Sequence, residues 1–249
     1  MNENPLRERQ LRLGTWMSIG SPVITELAAD SGFDWLLFDL EHGCGTESGV
    51  LGQLQAIRGS GAAAIVRVGA PHADLIARVL DWGADGIMVP HVSTAAEAEA
   101  CVQAMRYPPR GRRGVARSVR TYGYGLRPAV AGADPAPILF AQIETIEAVE
   151  NAGAIAAIDG VDVLFVGPAD LQHDLRARPE LAKREYRACL EYVAAQAVAA
   201  GKPCGILLRD IAEVEAHRAM GFTHLAIETD LGILRKGYQE LLRVKGLEA

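Results

Sequence analysis

A chain of 249 residues with 49% apolar side chains holds enough material for a sizeable core, and its length suits one α/β barrel. A net charge of -6 excludes a nucleic-acid platform, and no apolar run reaches the roughly 18 residues of a membrane span. Cys44, Cys101, Cys189 and Cys204 form no CxxC pair, and the polar start "MNENPLRERQLRLG" has no apolar signal core, so a cytoplasmic protein with reduced thiols is expected.

Along the chain, short β-rich apolar runs alternate with longer segments of helical period. "GTWMSI" (14–19) reads as the first strand, and "PVITELAADSG" as a helix that opens after Ser21 and stops at Gly32. "DWLLFDL" (34–40), "AAIVRV" (63–68) and "DGIMVP" (85–90) follow as strands. "TAAEAEACVQAMR" has Thr94 as N-cap, with Glu97 completing a capping box. The next segment, 106–136, is long and rich in Pro, Gly and Arg; a connection of that length is expected to be functional or disordered. "ILFAQIE" (138–144), "VDVLFVG" (161–167), "PCGILL" (203–208) and "THLAIE" (223–228) complete the strands. The helical patterns "IEAVENAGAIAAI", "AKREYRACLEYVAAQAVAAG" and "IAEVEAHRAMG" separate them.

Most of these strands are unbroken apolar runs, as expected for parallel strands covered on both faces. Eight strand–helix units are the number that closes a (β/α)8 TIM barrel. A doubly wound sheet, the main rival, calls for a Gly-rich phosphate turn after an early strand, and "SIGSPV" is a poor one. With no linker in view, residues 1–249 read as a single domain.

A TIM barrel places chemistry at the C-terminal ends of its strands. Asp39, Glu41 and His42 stand there on strand two and Arg67 on strand three. His91 follows strand four, Gln142 and Glu144 close strand five, Asp170 lies just past strand six, and Glu228 ends strand eight. Each has a structural reading: Asp39 as a turn cap, His42 as a loop histidine, Arg67 as an ion-pair partner, Asp170 as the N-cap of a helix from Leu171. Glu144, amid apolar neighbours, requires a cation or a donor. Glu144 and Asp170 suit Mg²⁺ or Mn²⁺ with open positions for water and substrate oxygens. Such an ion, chelated by a 2-oxo acid, would stabilise an enolate. The lysines, Lys183, Lys202, Lys236 and Lys245, all fall outside the predicted strands, which argues against a Schiff-base mechanism.

The motifs "FDWLLFDLEHG", "VRV", "GADGIMVPHV", "RYPPRGRRGV", "AQIET" and "FVGPADL", in this order and spacing, resemble the HpcH/HpaI class II pyruvate aldolases of the phosphoenolpyruvate/pyruvate barrel superfamily. The resemblance spans nearly the whole chain. It implies reversible retro-aldol cleavage of a 4-hydroxy-2-oxo acid to pyruvate and an aldehyde, with a divalent ion (Mg²⁺, Mn²⁺ or Co²⁺). Glu144 and Asp170 match the metal carboxylates, and Arg67 the arginine on the pyruvate oxygens. His42 matches the acid–base histidine that works with a metal-bound water, and Asp39 the aspartate that orients it. Gln142, Gly167, Pro168 and Ala169 match the pyruvate pocket, and Asp81 an acidic motif position of open role. A homo-oligomer, a hexamer with sites near subunit interfaces, is implied.

Leu40, Cys44, His91 and Glu228 depart from the family pattern, which bears on the aldehyde half rather than the pyruvate half. Two alternatives stand beside the aldolase: an acyl-CoA lyase of the citramalyl or malyl type, and a non-catalytic barrel. Six arginines crowd 106–120, and Arg117, Arg120 or Tyr122 is a candidate reader of a carboxylated acceptor. Glu41 is expected to orient Arg67 or the ion's water, or to form a structural ion pair.

Overall fold

A computed structural model describes residues 4–127 and 136–245 of the chain. The strands are β1 (Arg12–Met17), β2 (Trp35–Asp39), β3 (Ala63–Arg67), β4 (Gly86–Val89), β5 (Ile138–Ile143), β6 (Val163–Val166), β7 (Cys204–Leu208) and β8 (His224–Thr229). Between them and after them lie α1 (Pro22–Asp30), α2 (Glu47–Ala56), α3 (Ala73–Asp81), α4 (Ala95–Met105), α5 (Ile146–Glu150), α6 (Ala152–Ala156), α7 (Pro168–Ala177), α8 (Tyr186–Ala199), α9 (Val214–Ala219) and α10 (Asp230–Leu242). The strands pair in parallel and in sequence, and β8 closes onto β1. The expected TIM barrel is therefore the fold.

Alternation along each strand divides the core in two. Leu36 and Phe38 of β2 face the helices in the outer layer, whereas Trp35 and Leu37 fill the barrel's interior. Inside, Trp16, Trp35, Phe140 and Phe165 contact one another with ring centroids 5.6 to 6.1 Å apart. Each such pair contributes about 0.5–1.5 kcal/mol beyond its buried area. Gly14 makes room for them: a Cβ there would lie 2.3 Å from the Trp35 indole. The lumen is thus solid, and any substrate must bind above it.

The N-terminal end is closed by a recurring Gly–x–Asp turn ahead of β2, β4 and β6. Gly32, Gly83 and Gly160 take φ of 94°, 96° and 103°, which glycine adopts without strain. Two residues on, Asp34, Asp85 and Asp162 each accept a 2.8 Å hydrogen bond from a backbone N–H of the preceding strand, at Leu13, Ala64 and Leu139. Each aspartate also donates its own N–H to the carbonyl of that same residue. Ahead of β8, Thr223 keeps only the backbone half of this clasp, donating to Cys204 O. Next to it, His224 is fully buried, with Nε2 3.0 Å from Leu6 O. Burial pushes its pKa down to about 4, so the ring is neutral and Nε2–H donates.

Three expectations are revised. The pattern at 146–158 is two helices, broken at Asn151, whose side-chain amide donates to Ser93 O at 2.8 Å. Asp170 is not an N-cap: α7 begins at Pro168 with Gly167 as its cap, and Asp170 lies in the first turn. Arg120 does not reach a substrate site, because it donates to Trp82 O and Leu54 O at the ends of α3 and α2. Asp81 pairs with the buried Arg113 at 2.6 Å, a structural tie between α3 and the arginine-rich connection. Arg117 stacks over Tyr122 at 5.4 Å. The stretch 128–135 of the 106–136 connection lies outside the described residues, as do 1–3 and 246–249 of the expected 1–249 domain. The Thr94–Glu97 capping box is present as expected.

Candidate active site

The inward parity of the strands continues past their C-terminal ends. Counting by twos from Trp35, Ile65, Phe140, Phe165 and Ala226, all in the inner core, reaches Asp39, Arg67, Gln142 and Glu144, Gly167, and Glu228. On β7 the partly buried Leu207, packed on the same core, leads to Arg209. Elements that are apolar within the barrel thus deliver polar groups to one place, a cavity of about 1120 Å³. Asp39, His42, Arg67, Gln142, Gly167, Pro168, Ala169 and Asp170 line it, together with Arg209, Glu228 and Lys236.

Arg67 and Asp39, both buried, form a two-pronged pair: Nε donates to Oδ1 at 3.0 Å and Nη2 to Oδ2 at 2.7 Å. Nη1 lies 2.8 Å from Glu41 Oε2, an ion pair between the two side chains, and Trp16 covers the guanidinium at 5.1 Å. Nε and Nη2 donate to Asp39 and Nη1 is ion-paired with Glu41, so the guanidinium is fixed at the cavity wall. Burial pushes the Asp39 pKa up, but the Arg67 bonds and charge outweigh it and hold the carboxylate below its ordinary range.

Glu144, 1% exposed, takes hydrogen bonds from the His91 backbone N–H at 2.7 Å and from the Gln142 amide. His91 Nδ1 lies 3.1 Å from Oε1. Burial raises the Glu144 pKa, the His91 contacts oppose the rise, and the charges of Asp170 and Glu41 add to it. Gly167 is required here, since a Cβ would lie 2.4 Å from Glu144 Oε2. Among the described residues, three or more His, Cys, Asp or Glu nowhere group as a metal cage. The donors that do meet are oxygens: Glu144, the exposed Asp170, and a buried Gln142 Oε1 without a hydrogen-bond partner. This set fits a hard divalent cation that keeps most of its positions for water and substrate.

The Asp39–His42 pairing is corrected in form. Asp39 Oδ1 accepts the backbone N–H groups of Glu41 (3.0 Å) and His42 (3.2 Å), so it shapes the turn. The His42 ring is 69% exposed, and its closest ion-pair partner is Glu41 at 3.9 Å. Gly43 keeps the turn tight, as a Cβ there would meet Asp39 O at 2.3 Å. Arg209 went unmarked in the sequence because it reads as a loop arginine; its inward parity was the available signal. Asp230, the other acidic residue at the end of strand eight, accepts the Ser18 and Ile19 N–H groups and serves the structure.

No helix among the described residues is long and apolar enough to cross a membrane. The chain is 43% identical over 245 residues to a 4-hydroxy-2-oxovalerate aldolase of Novosphingobium aromaticivorans, covering 96% of this chain and 91% of that one. It is 37% identical over 237 residues to a 5-keto-4-deoxy-D-glucarate aldolase of Salmonella arizonae, with 95% and 93% covered. A solved HpcH/HpaI aldolase/citrate lyase family protein from Burkholderia cenocepacia superposes with a TM-score of 0.89 at 33% identity, covering 97% of each chain. Residues 12–236 match the HpcH/HpaI aldolase/citrate lyase profile. With barrel, relatives and profile in agreement, the chain belongs to the HpcH/HpaI aldolase/citrate lyase family.

Proposed function

We propose that this carbon–carbon lyase cleaves a 4-hydroxy-2-oxo acid reversibly into pyruvate and an aldehyde, with a divalent ion (Mg²⁺, Mn²⁺ or Co²⁺) held by Glu144 and Asp170. The observation that carries this reading is the convergence of Arg67, Gln142, Gly167, His42 and Asp170 on one cavity, beside the buried Glu144, in a member of an aldolase family. The relatives' names describe a diacid and a monoacid, so the far end of the substrate is open at this stage.

Each residue then has a task. Gln142 and the backbone of Gly167, Pro168 and Ala169 cradle the pyruvate half. A divalent ion bound there would supply Lewis acidity toward the substrate's carboxylate and 2-oxo oxygens. His42 takes the proton of the 4-hydroxyl, and Asp39 holds the turn that presents it. As C3–C4 breaks, its electron pair passes to the enolate, and the Arg67 guanidinium offsets the charge. A proton delivered to C3 gives pyruvate.

We read the working unit as a homo-oligomer, a hexamer, of one domain over 1–249 in the cytoplasm. Supporting this, α10 exposes Leu231, Ile233, Tyr238 and Leu241; light scattering tests the mass. The assay for activity is pyruvate release from 4-hydroxy-2-oxo acids with Mg²⁺, Mn²⁺ or Co²⁺ added. Release that depends on the ion is expected. Silence with every ion across a broad panel of acids overturns the proposal.

A further inference from the structure

The cavity has two sides of opposite electrical character. On the pyruvate side the one buried cation, Arg67, is matched by Asp39 and Glu41, and Glu144 and Asp170 bring further negative charge. On the other side stand Arg209, Lys236 and Arg235, with Arg176 and Arg187 nearby, against two carboxylates, Glu228 and Glu213, so cations outnumber carboxylates there.

Glu228 is buried and holds φ at 60°, a conformation that costs a non-glycine residue free energy. Its carboxylate lies 3.3 Å from Arg209 Nη1 and 2.5 Å from Lys236 Nζ, and it also accepts the Thr229 N–H at 3.2 Å. Lys236 is fixed a second time, donating to Arg209 O at 2.9 Å. Gly232 of α10 clears the space, because a Cβ there would sit 2.2 Å from Glu228 Oε1. Burial opposes the charge on Glu228, but the Lys236 and Arg209 hydrogen bonds outweigh it and keep the carboxylate ionised. One anion thus aligns two cations whose heads stay half open to the cavity and whose charge is only half neutralised. Tying α10 to the β7 loop would not need a second cation, nor a strained residue on the inward parity.

We infer that Arg209 and Lys236, positioned by Glu228, bind a negatively charged group at the far end of the aldehyde half of the substrate. This rests on the aldolase reading above and extends it: the product aldehyde carries a remote anion, a carboxylate or a phosphate, rather than a plain alkyl end.

The experiment runs the reaction in the aldol direction with pyruvate and an added divalent ion. Acceptors are an aldehyde acid (succinic semialdehyde), an aldehyde phosphate (glyceraldehyde 3-phosphate) and neutral aldehydes of matching length. The anionic acceptors are expected to exceed the neutral ones in kcat/KM by roughly 10- to 100-fold, the range of one charge-assisted contact. Which anion wins identifies the group. Arg209→Met with Lys236→Met should collapse that ratio to near one, mainly through KM of the acceptor. Glu228→Gly should lower it in part, and Glu228→Asp should restore some of the loss. A ratio near one in the native enzyme, or one the double variant leaves unchanged, overturns the inference. Exchange of the pyruvate methyl protons with solvent deuterium separates the failures. Exchange without anion preference overturns this inference alone, and no exchange overturns the aldolase reading and this inference with it.

Discussion

The two ends of the barrel use the same residue types for opposite ends. At the N-terminal end, Asp34, Asp85 and Asp162 each meet a backbone donor on the neighbouring strand, and His224 is buried in its neutral form. At the C-terminal end, Glu144 and Asp170 add negative charge to each other's surroundings, Gln142 Oε1 has no partner, and His91 and Glu228 hold positive φ. One end spends its polar groups on strand pairing. The other leaves them under-satisfied and strained, as a binding site requires. A carboxylate's place along the strand, more than its identity, decides which task it performs.

That contrast breaks most visibly at Arg67. Arg67→Met should lower kcat by roughly 10²–10³-fold, the loss of one oxyanion donor. It should also cost about 3–5 kcal/mol of stability, because Asp39 is left buried and uncompensated. Steady-state kinetics and urea unfolding read the two effects separately, and unchanged turnover would contradict the assigned role. A pH titration probes the opposite end. The unfolded chain protonates His224 near 6.5 and the folded one only near 4, so stability is full above pH 6.5 and falls as pH drops to 4. The loss is about 3 kcal/mol. Asp39, shifted below 3.8, keeps its contribution throughout that window and loses it only at lower pH, so the early loss belongs to the N-terminal end. Denaturant midpoints at pH 7 and pH 4.5 check this, and His224→Asn should flatten the dependence.

A smaller effect is expected at the clasps. Asp162→Ala removes the acceptor of the Leu139 N–H and the partner of Arg7, and should cost about 1–3 kcal/mol with turnover of the folded protein unchanged. Smallest is His91→Gly. Relief of the φ of 54° offsets the entropy glycine adds to the unfolded chain, so stability should hold or rise by up to about 1 kcal/mol. A clear loss in thermal melts would mean that the lost contact of the His91 ring with Glu144 outweighs the strain relieved at this position.

All eight strands were legible because a strand covered on both faces must be apolar throughout, and runs such as "WLLF" leave no other reading. Their ends shifted by at most two residues because the apolar run and the hydrogen-bonded ladder need not stop together; β1 starts at Arg12 rather than Gly14. The break at Asn151 was hidden, since helical period continues across it and the cause is a remote carbonyl at Ser93. The residues around Glu144 were legible because a buried carboxylate is chemically conspicuous. The exchange of the Asp39 side chain from His42 to Arg67 was not, because both partners lie within reach of the strand end and only three-dimensional geometry selects between them. Arg209 and the Gly–x–Asp turns show a different failure: each is ordinary alone, and only its parity or its repetition carries the signal.

The clasps also punctuate the chain. They join β1 to β2, β3 to β4 and β5 to β6, each odd strand to the even strand that follows it. Among the described residues, the junctions from even to odd strands carry no such aspartate, and the long 106–136 connection lies at one of them, between β4 and β5. Circular permutants opened between β2 and β3, or between β4 and β5, would keep every aspartate clasp within one continuous βαβ module. A permutant opened inside a pair would separate the two halves of a clasp in sequence and make its closure a long-range event.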